Sequence, residues 1–378
     1  MHRFLRRSID RQPRIAALIR EMVECESPTD SPAAVNRFVD LLAENTKDIA
    51  TAQLIPASGA GNHLRLEFKT RTHTGDPQIL ALGHSDTVWP LGTLRQMPFR
   101  ADGERLWGPG VLDMKAGLAF FLHAVRILID LDIAVPRRIV LLIVSDEETG
   151  SKTSRGLTEA EALCSSAVLV LEPGTGLDGK LKTARKGVGR YTIAIEGIAS
   201  HAGVDFESGA SAILEAARQI ERIAAFTDLR RGVTVNPGVV SGGTRLNVIA
   251  AAARIEVDVR VSSLADAVSV DARLHALKPV DARCRLRIEG GLNRPPMERT
   301  KAIARLFTEA RAIAAEFGVT LEESSTGGGS DGNFTAALGV PTLDGLGAVG
   351  EGAHAPNESI LTGRIPDRVA LLAALLTR

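Results

Sequence analysis

The sequence predicts an α/β protein: a mostly parallel sheet sandwiched by helices, interrupted by an inserted α+β domain with an antiparallel sheet and two helices. Three observations predict it. Short continuous apolar runs at 79–83, 139–144 and 167–171 alternate with helical stretches at 115–131 and 153–163, as expected of strands buried on both faces. After about residue 180 the pattern changes, and 191–196 and 254–260 alternate polar with apolar residues, the mark of strands with one wet face. From residue 300 the chain returns to helix and apolar strand at 301–317, 339–344 and 366–377.

Taken in order, Ile9, Ile15, Leu18, Ile19, Met22 and Val23 give a first helix over 9–25. A second starts near Ser31-Pro32, with serine at the cap and proline in the first turn. In the middle of the chain, 209–225 and 264–277 have helical periodicity between the alternating strands. The expected division is therefore a first domain of 1–184 and 294–378, and an inserted domain of 185–293. At 378 residues the chain suits two domains.

Composition excludes several classes. Lys+Arg and Asp+Glu are both 45, so no overall field draws the protein to nucleic acid or to a membrane surface. Cys25, Cys164 and Cys284 are far apart and odd in number, which fits neither a disulfide framework nor a thiolate metal site and suits a reducing compartment. The N-terminus is basic, but Asp10, Arg11 and Gln12 follow where a signal peptide needs an apolar run. No window approaches the roughly 18 apolar residues of a membrane span. The expected location is the cytoplasm.

Each of three apolar runs ends in a potential metal ligand: His84, the pair Glu147-Glu148, and Glu172. Ligands of open parallel sheets bind at the carboxyl ends of the strands, so three parallel strands would bring these groups to one crevice. Asp86 lies two residues after His84, on the same face of extended backbone, where its carboxylate could fix the imidazole tautomer. Asp113 sits on the glycine-rich turn Gly108–Lys115, and a carboxylate there can bridge two cations. His354 lies in the polar segment 352–358. Nitrogen and oxygen ligands without thiolate fit zinc, with manganese or cobalt as alternatives.

The stretches Gly83–Val88, Gly108–Lys115, Ser145–Gly150, Leu171–Pro173, Ser200–Gly203 and Thr326–Asp331 resemble, in order, the motifs of the co-catalytic zinc amidohydrolases. That family includes bacterial glutamate carboxypeptidase, aminoacylase and succinyl-diaminopimelate desuccinylase, and the resemblance is strongest to the glutamate carboxypeptidase branch. It implies a zinc-peptidase-like fold whose inserted domain serves as a lid and a homodimer interface. It implies that Asp113 bridges two metal ions, His84 and Glu172 hold one, and Glu148 and His354 hold the other. By the same resemblance Glu147 is the general base, Asp86 orients His84, and His201 stabilises the oxyanion from across a dimer interface. Asn247, Arg260, Lys180 and Arg294 match substrate-contacting positions, and the backbone of Gly328 and Gly329 would offer N–H donors to a carboxylate. Ala353 and Ala355 depart from the Tyr and Ser that flank the histidine in that branch.

The function so implied is hydrolysis of an amide bond in a small carboxylate-bearing substrate, as a carboxypeptidase releasing C-terminal glutamate. An N-acyl amino acid deacylase uses the same chemistry, and a non-catalytic binding protein is the alternative of a different class. His2, His63, His73, His123 and His275 carry no expected role beyond structure or surface. Arg185, Lys186 and Arg245 are read as surface charge at least as readily as substrate contacts. Gly174–Gly179 spells G-x-G-x-x-G after a strand, but no helix is expected to open on those glycines, which argues against a dinucleotide site.

Overall fold

The computed structural model describes residues 2–72 and 77–378, so His73 lies outside the described residues. The chain divides into two compact units: unit 1 comprises 1–184, 299–325 and 330–378, and unit 2 comprises 185–298 and 326–329.

Unit 1 begins with helices α1 (Arg3–Glu24) and α2 (Pro32–Thr46), then strands β1 (Ala50–Ile55), β2 (His63–Phe68) and β3 (Gln78–His84). Two short strands, β4 (Arg100–Ala101) and β5 (Arg105–Trp107), precede helix α3 (Ala116–Asp130) and strand β6 (Ile139–Val144). Helix α4 (Arg155–Leu163), strand β7 (Ser165–Val170) and strand β8 (Leu181–Arg185) follow. Pro32 occupies the first turn of α2 as expected, although the Ser31 side chain makes no capping bond.

Unit 2 contains β9 (Gly187–Glu196), α5 (Ala212–Ala224), β10 (Thr234–Gly242), β11 (Ala252–Val261), α6 (Leu264–His275) and β12 (Arg285–Arg294). The chain then forms α7 (Lys301–Glu316), β13 (Glu323–Thr326), α8 (Gly332–Ala337), β14 (Thr342–Leu343), β15 (Gly350–Glu351), β16 (Ser359–Leu361) and α9 (Ile365–Leu375).

The large sheet of unit 1 has the order β1-β2-β6-β3-β7-β14. β6, β3, β7 and β14 run parallel, while β1 and β2 add an antiparallel edge. Every residue of β3 and β6 is buried. Ile79 and Ala81 face a core shared with α1, α3 and α9, and Leu80 and Leu82 face a second core closed by Ala162 of α4. A strand covered on both sides has no reason to alternate polarity, which is why these runs read as continuous.

Unit 2 is a four-stranded antiparallel sheet, β10-β11-β9-β12. α5 and α6 cover one face, burying Ala216, Ile223, Val270 and Leu274 against Ile193, Ile195, Ile255 and Val257. β11 alternates exposed and buried residues along its length, as a half-covered strand must. Ser211 and Ser263 cap the two helices by accepting the N–H of Leu214 and Asp266.

The observed boundaries differ from 185–293 at two points. Arg185 and Met297 exchange backbone hydrogen bonds of 3.0 Å, which carries unit 2 on to Glu298. Residues 326–329 also join unit 2: the Lys186 N–H donates to the Thr326 carbonyl, and the Arg185 guanidinium donates to the carbonyls of Gly328 and Gly329 at 3.2 Å. Arg185 is therefore a buried backbone clamp rather than surface charge. Among the described residues, no helix is long and apolar enough to cross a membrane.

Candidate metal centre

Parallel register assembles the centre. His84, the last residue of β3, is paired with Val144, the last of β6, and Leu82 is paired with Val170, the last of β7. The three strands therefore end at one level, and His84, the Glu147–Glu148 turn and Glu172 emerge together. Asp113 arrives from the loop before α3, where Gly108 and Gly110 adopt φ of 152° and 71°, values open to glycine. The Asp113–Met114 peptide is cis. His354 sits at φ 61°, uncommon for a non-glycine residue, in a turn closed by the Ala355 N–H on the Gly352 carbonyl.

These side chains form two triads that share one carboxylate: His84, Asp113 and Glu172 in the first, Asp113, Glu148 and His354 in the second. His84 Nε2 lies 3.2 Å from Asp113 Oδ1 and 3.7 Å from Glu172 Oε1. His354 Nε2 lies 3.2 Å from Asp113 Oδ2 and 3.3 Å from Glu148 Oε1. The two oxygens of Asp113 thus point to different triads, the arrangement a bridging carboxylate requires.

The electrostatics of the cluster call for cations. Burial disfavours the charge on His84, yet Asp113 and Asp86 outweigh it and raise its pKa well above the usual value. The carboxylates of Asp113 and Glu148 raise His354 to about 10. Burial opposes ionisation of Asp113, but the two imidazoles facing it hold its carboxyl far below the usual range. The buried Oε1 of Glu148 has no aligned hydrogen-bond donor among the described residues. A donor set of two imidazoles and three carboxylates, one carboxylate oxygen unsatisfied, fits a pair of divalent cations with nitrogen and oxygen preference.

Asp86 meets His84 through both its backbone and its carboxylate. His84 Nδ1 bonds the Asp86 backbone carbonyl at 2.8 Å, and the carboxylate Oδ1 stands 3.5 Å away. The buried carboxylate accepts the Glu147 N–H at 3.3 Å, the Glu148 N–H at 3.2 Å and the Thr29 hydroxyl at 2.8 Å. It therefore pins the 147–149 turn that carries one ligand and the expected base. Glu147 itself is half-buried in that turn. A cavity of about 490 Å³ adjoins Glu148, between Thr29, Asp30, Gly59, Thr87 and Thr149.

The remaining expected residues are each held by partners of their own. Lys180 is ion-paired with Glu322. In unit 2, Arg260 grips Asp258 with two bonds of 2.8 and 3.0 Å and reaches the Gly327 carbonyl at 3.3 Å. Arg294 is buried with its Cδ against Gly329, and the Gly328 N–H donates to Thr326 Oγ1 at 3.4 Å. His201 and Asn247 are brought together: His201 bridges to Val248, and the Ala202 N–H donates to the Asn247 carbonyl at 3.0 Å. Both are exposed.

Two residues beside the centre, Glu358 and His63, carry little sign of their place in the sequence. Glu358 is fully buried and accepts four N–H donors around Asp113. His63 is buried rather than at the surface, accepting the Ser145 N–H at 3.1 Å, because it opens β2 beside the end of the antiparallel β6. His123 is buried in α3, in keeping with the structural role expected of it. The only available sign was that His63 opens an apolar-alternating run.

The Gly174–Gly179 segment is a turn, with Thr175 and Lys180 exchanging backbone bonds, and no helix opens on it. Its glycines admit the buried Arg368: a Cβ on Gly174 would lie 2.4 Å from Arg368 Nη2, and one on Gly179 2.6 Å from it.

The profile of peptidase family M20/M25/M40 matches residues 80–378. Carboxypeptidase G2 of Pseudomonas sp. (strain RS-16) is 30% identical over 376 residues, covering 97% of this chain and 89% of that protein. Succinyl-diaminopimelate desuccinylase of Dechloromonas aromatica (strain RCB) is 27% identical over 382 residues, covering 95% and 97%. In fold, the crystal structure of aminopeptidase PepT from Bacillus cereus ATCC 10987 superposes with a TM-score of 0.80 at 23% identity, covering 97% of this chain and 98% of that one. On the family profile and these relatives, the chain belongs to peptidase family M20/M25/M40, a family of metal-dependent hydrolases.

Proposed function

We propose that the protein is a two-metal hydrolase that cleaves the amide bond of a small carboxylate-bearing substrate, as a carboxypeptidase releasing C-terminal glutamate. The observation that carries this reading is Asp113, whose two oxygens face two separate ligand triads 3.2 Å from an imidazole on each side. His84 and Glu172 would hold one cation, Glu148 and His354 the other, with zinc the best fit to the donors and cobalt or manganese alternatives. When bound, the pair supplies Lewis-acid polarisation of the scissile carbonyl and acidifies water.

The chain's own residues do the rest. Glu147 takes the proton of the attacking water and hands it to the leaving amine. Asp86 keeps Glu147 and Glu148 in place through their backbone N–H groups, and its carbonyl fixes the tautomer of His84 so that Nε2 faces Asp113. His201 supplies a donor for the oxyanion. Asn247, Arg260, Lys180, Arg294 and the backbone of Gly328 and Gly329 recognise the substrate, with guanidinium suited to a carboxylate. Arg260 would exchange its bidentate bond with Asp258 for that carboxylate.

A homodimer through residues 185–293 supplies His201 from the second copy. β10 is an edge strand, and Val239 and Val240 on it are exposed, as are Leu246 and, on α5, Ile213 and Leu214. An unpaired edge lined with apolar side chains is suited to a second copy of the same strand.

An N-acyl amino acid deacylase is the second reading, favoured by the desuccinylase relative. Assaying N-acetyl and N-benzoyl amino acids beside dipeptides ending in Glu, Asp or apolar residues separates the two. Preference for substrates ending in glutamate supports the carboxypeptidase, and preference for a particular acyl group supports the deacylase. No hydrolysis across the panel by metal-loaded protein contradicts both.

A further inference from the structure

Glu358 has no charge partner among the described residues that touches its carboxylate, yet it is wholly buried. A lone carboxylate in such a place is costly unless backbone or side-chain donors satisfy it. Four do. Oε1 accepts the N–H of Leu112 at 2.8 Å and of Asp113 at 3.0 Å, and Oε2 accepts the N–H of Gly110 at 2.8 Å and Trp89 Nε1 at 2.7 Å.

Three of these donors are backbone amides of the loop that carries Asp113. That loop has no regular secondary structure to fix it, since Asp113 and Met114 depart from helical dihedrals and Gly110 is left-handed. Convergent amides of this kind form a concave site for an anion, and here the anion is a side chain of the protein. Glu358 also belongs to the turn that carries His354, with its own N–H on the Ala355 carbonyl at 2.9 Å. One carboxylate therefore couples the turn bearing His354 to the loop bearing Asp113, which meet at 3.2 Å.

We propose that Glu358 is a positioning residue that holds the Asp113 loop against the His354 turn, so that Asp113 presents one oxygen to each triad. It touches neither substrate nor metal and acts through the backbone of Asp113. The inference rests on the two-metal reading and names the residue that fixes its bridge.

The test uses metal binding and an indole reporter. The chain has two tryptophans, Trp89 and Trp107, so Trp107→Phe leaves Trp89, bonded to Glu358, as sole reporter. In that background Glu358→Gln sets an amide N–H₂ against donors that need an acceptor. Titration of the metal-free protein with zinc in competition with a chelator should show affinity about 10–100-fold weaker, the usual cost of losing a supporting hydrogen bond. Trp89 emission should shift as well. Trp89→Phe removes one donor but leaves the Asp113 amides held, and should bind zinc within a few-fold of wild type.

If Glu358→Gln does not fold, Glu358→Asp retains the charge but is one methylene shorter and should weaken zinc at least about five-fold. A folded Glu358→Gln or Glu358→Asp protein that binds zinc with wild-type affinity overturns the inference. Wild-type protein that binds no metal overturns the two-metal reading instead, so the two failures are distinguishable.

Discussion

The carboxylate of Asp86 accepts the backbone N–H of Glu147 at 3.3 Å and, with its other oxygen, that of Glu148 at 3.2 Å. A residue expected to steer an imidazole thus also fixes the turn that carries the proposed base and one proposed metal ligand. Both functions fail together if the carboxylate is removed. Asp86→Ala should lower kcat about 100-fold, and zinc affinity about 10–100-fold, while the fold persists. Steady-state kinetics and a chelator competition on the folded variant check this, and an unchanged kcat would remove the role.

The turn that mimics a nucleotide fingerprint exists to admit Arg368. Gly179 sits at φ 68°, and a Cβ there would come within 2.5 Å of Val349 Cγ2 and 2.6 Å of Arg368 Nη2. Gly179→Ala should therefore destabilise the protein by about 1–3 kcal/mol. Gly176→Ala, also left-handed but with open space at its Cβ, should cost less. Denaturant unfolding of the two variants measures the difference, and equal costs would contradict the packing explanation.

His123 gives unit 1 an acid sensitivity independent of metal. Burial, with Arg11, Arg126 and Arg14 nearby, lowers its pKa from 6.5 to about 4. As pH falls through 6.5 the unfolded chain takes a proton that the folded chain refuses until about 4, so stability is lost across that window. The loss from this group is on the order of 2–3 kcal/mol by pH 4. His123→Gln should flatten the slope of unfolding free energy between pH 6.5 and 4. An identical slope would show that the folded imidazole titrates normally.

His201 and Glu147 can be tested in one mixed population. If His201 serves the site of a second copy, co-expressed Glu147→Ala and His201→Ala chains form heterodimers in which one of two sites has both residues. Each variant alone should be nearly inactive, and the purified heterodimer should recover about half of wild-type turnover. No recovery in a verified heterodimer would place His201 outside the partner's reaction.

Most of the proposed ligand set has a local signature in the sequence, His354 excepted, which only the family resemblance singled out. His84, Glu148 and Glu172 end apolar runs, and parallel pairing of His84 with Val144 turns three sequence endings into one place. The glycines before Asp113 marked a special loop. What was not legible is what long-range pairing decides. Glu358 serves backbone amides more than 240 residues away, a task with no spacing of its own. Lys180 finds Glu322, and Arg185 finds the carbonyls of Gly328 and Gly329, across gaps of more than 140 residues. Arg260 and Asp258, two apart on one face of β11, could have been paired from alternation alone.

Amide hydrolysis by this chain should require two metal ions bridged by Asp113. This requirement is tested most directly by elemental analysis of the purified protein alongside turnover of an N-acyl glutamate before chelation, after it, and after zinc is returned. The expected result is two divalent ions per chain, loss of turnover on their removal, and recovery with zinc. Full turnover by the metal-free chain would contradict it.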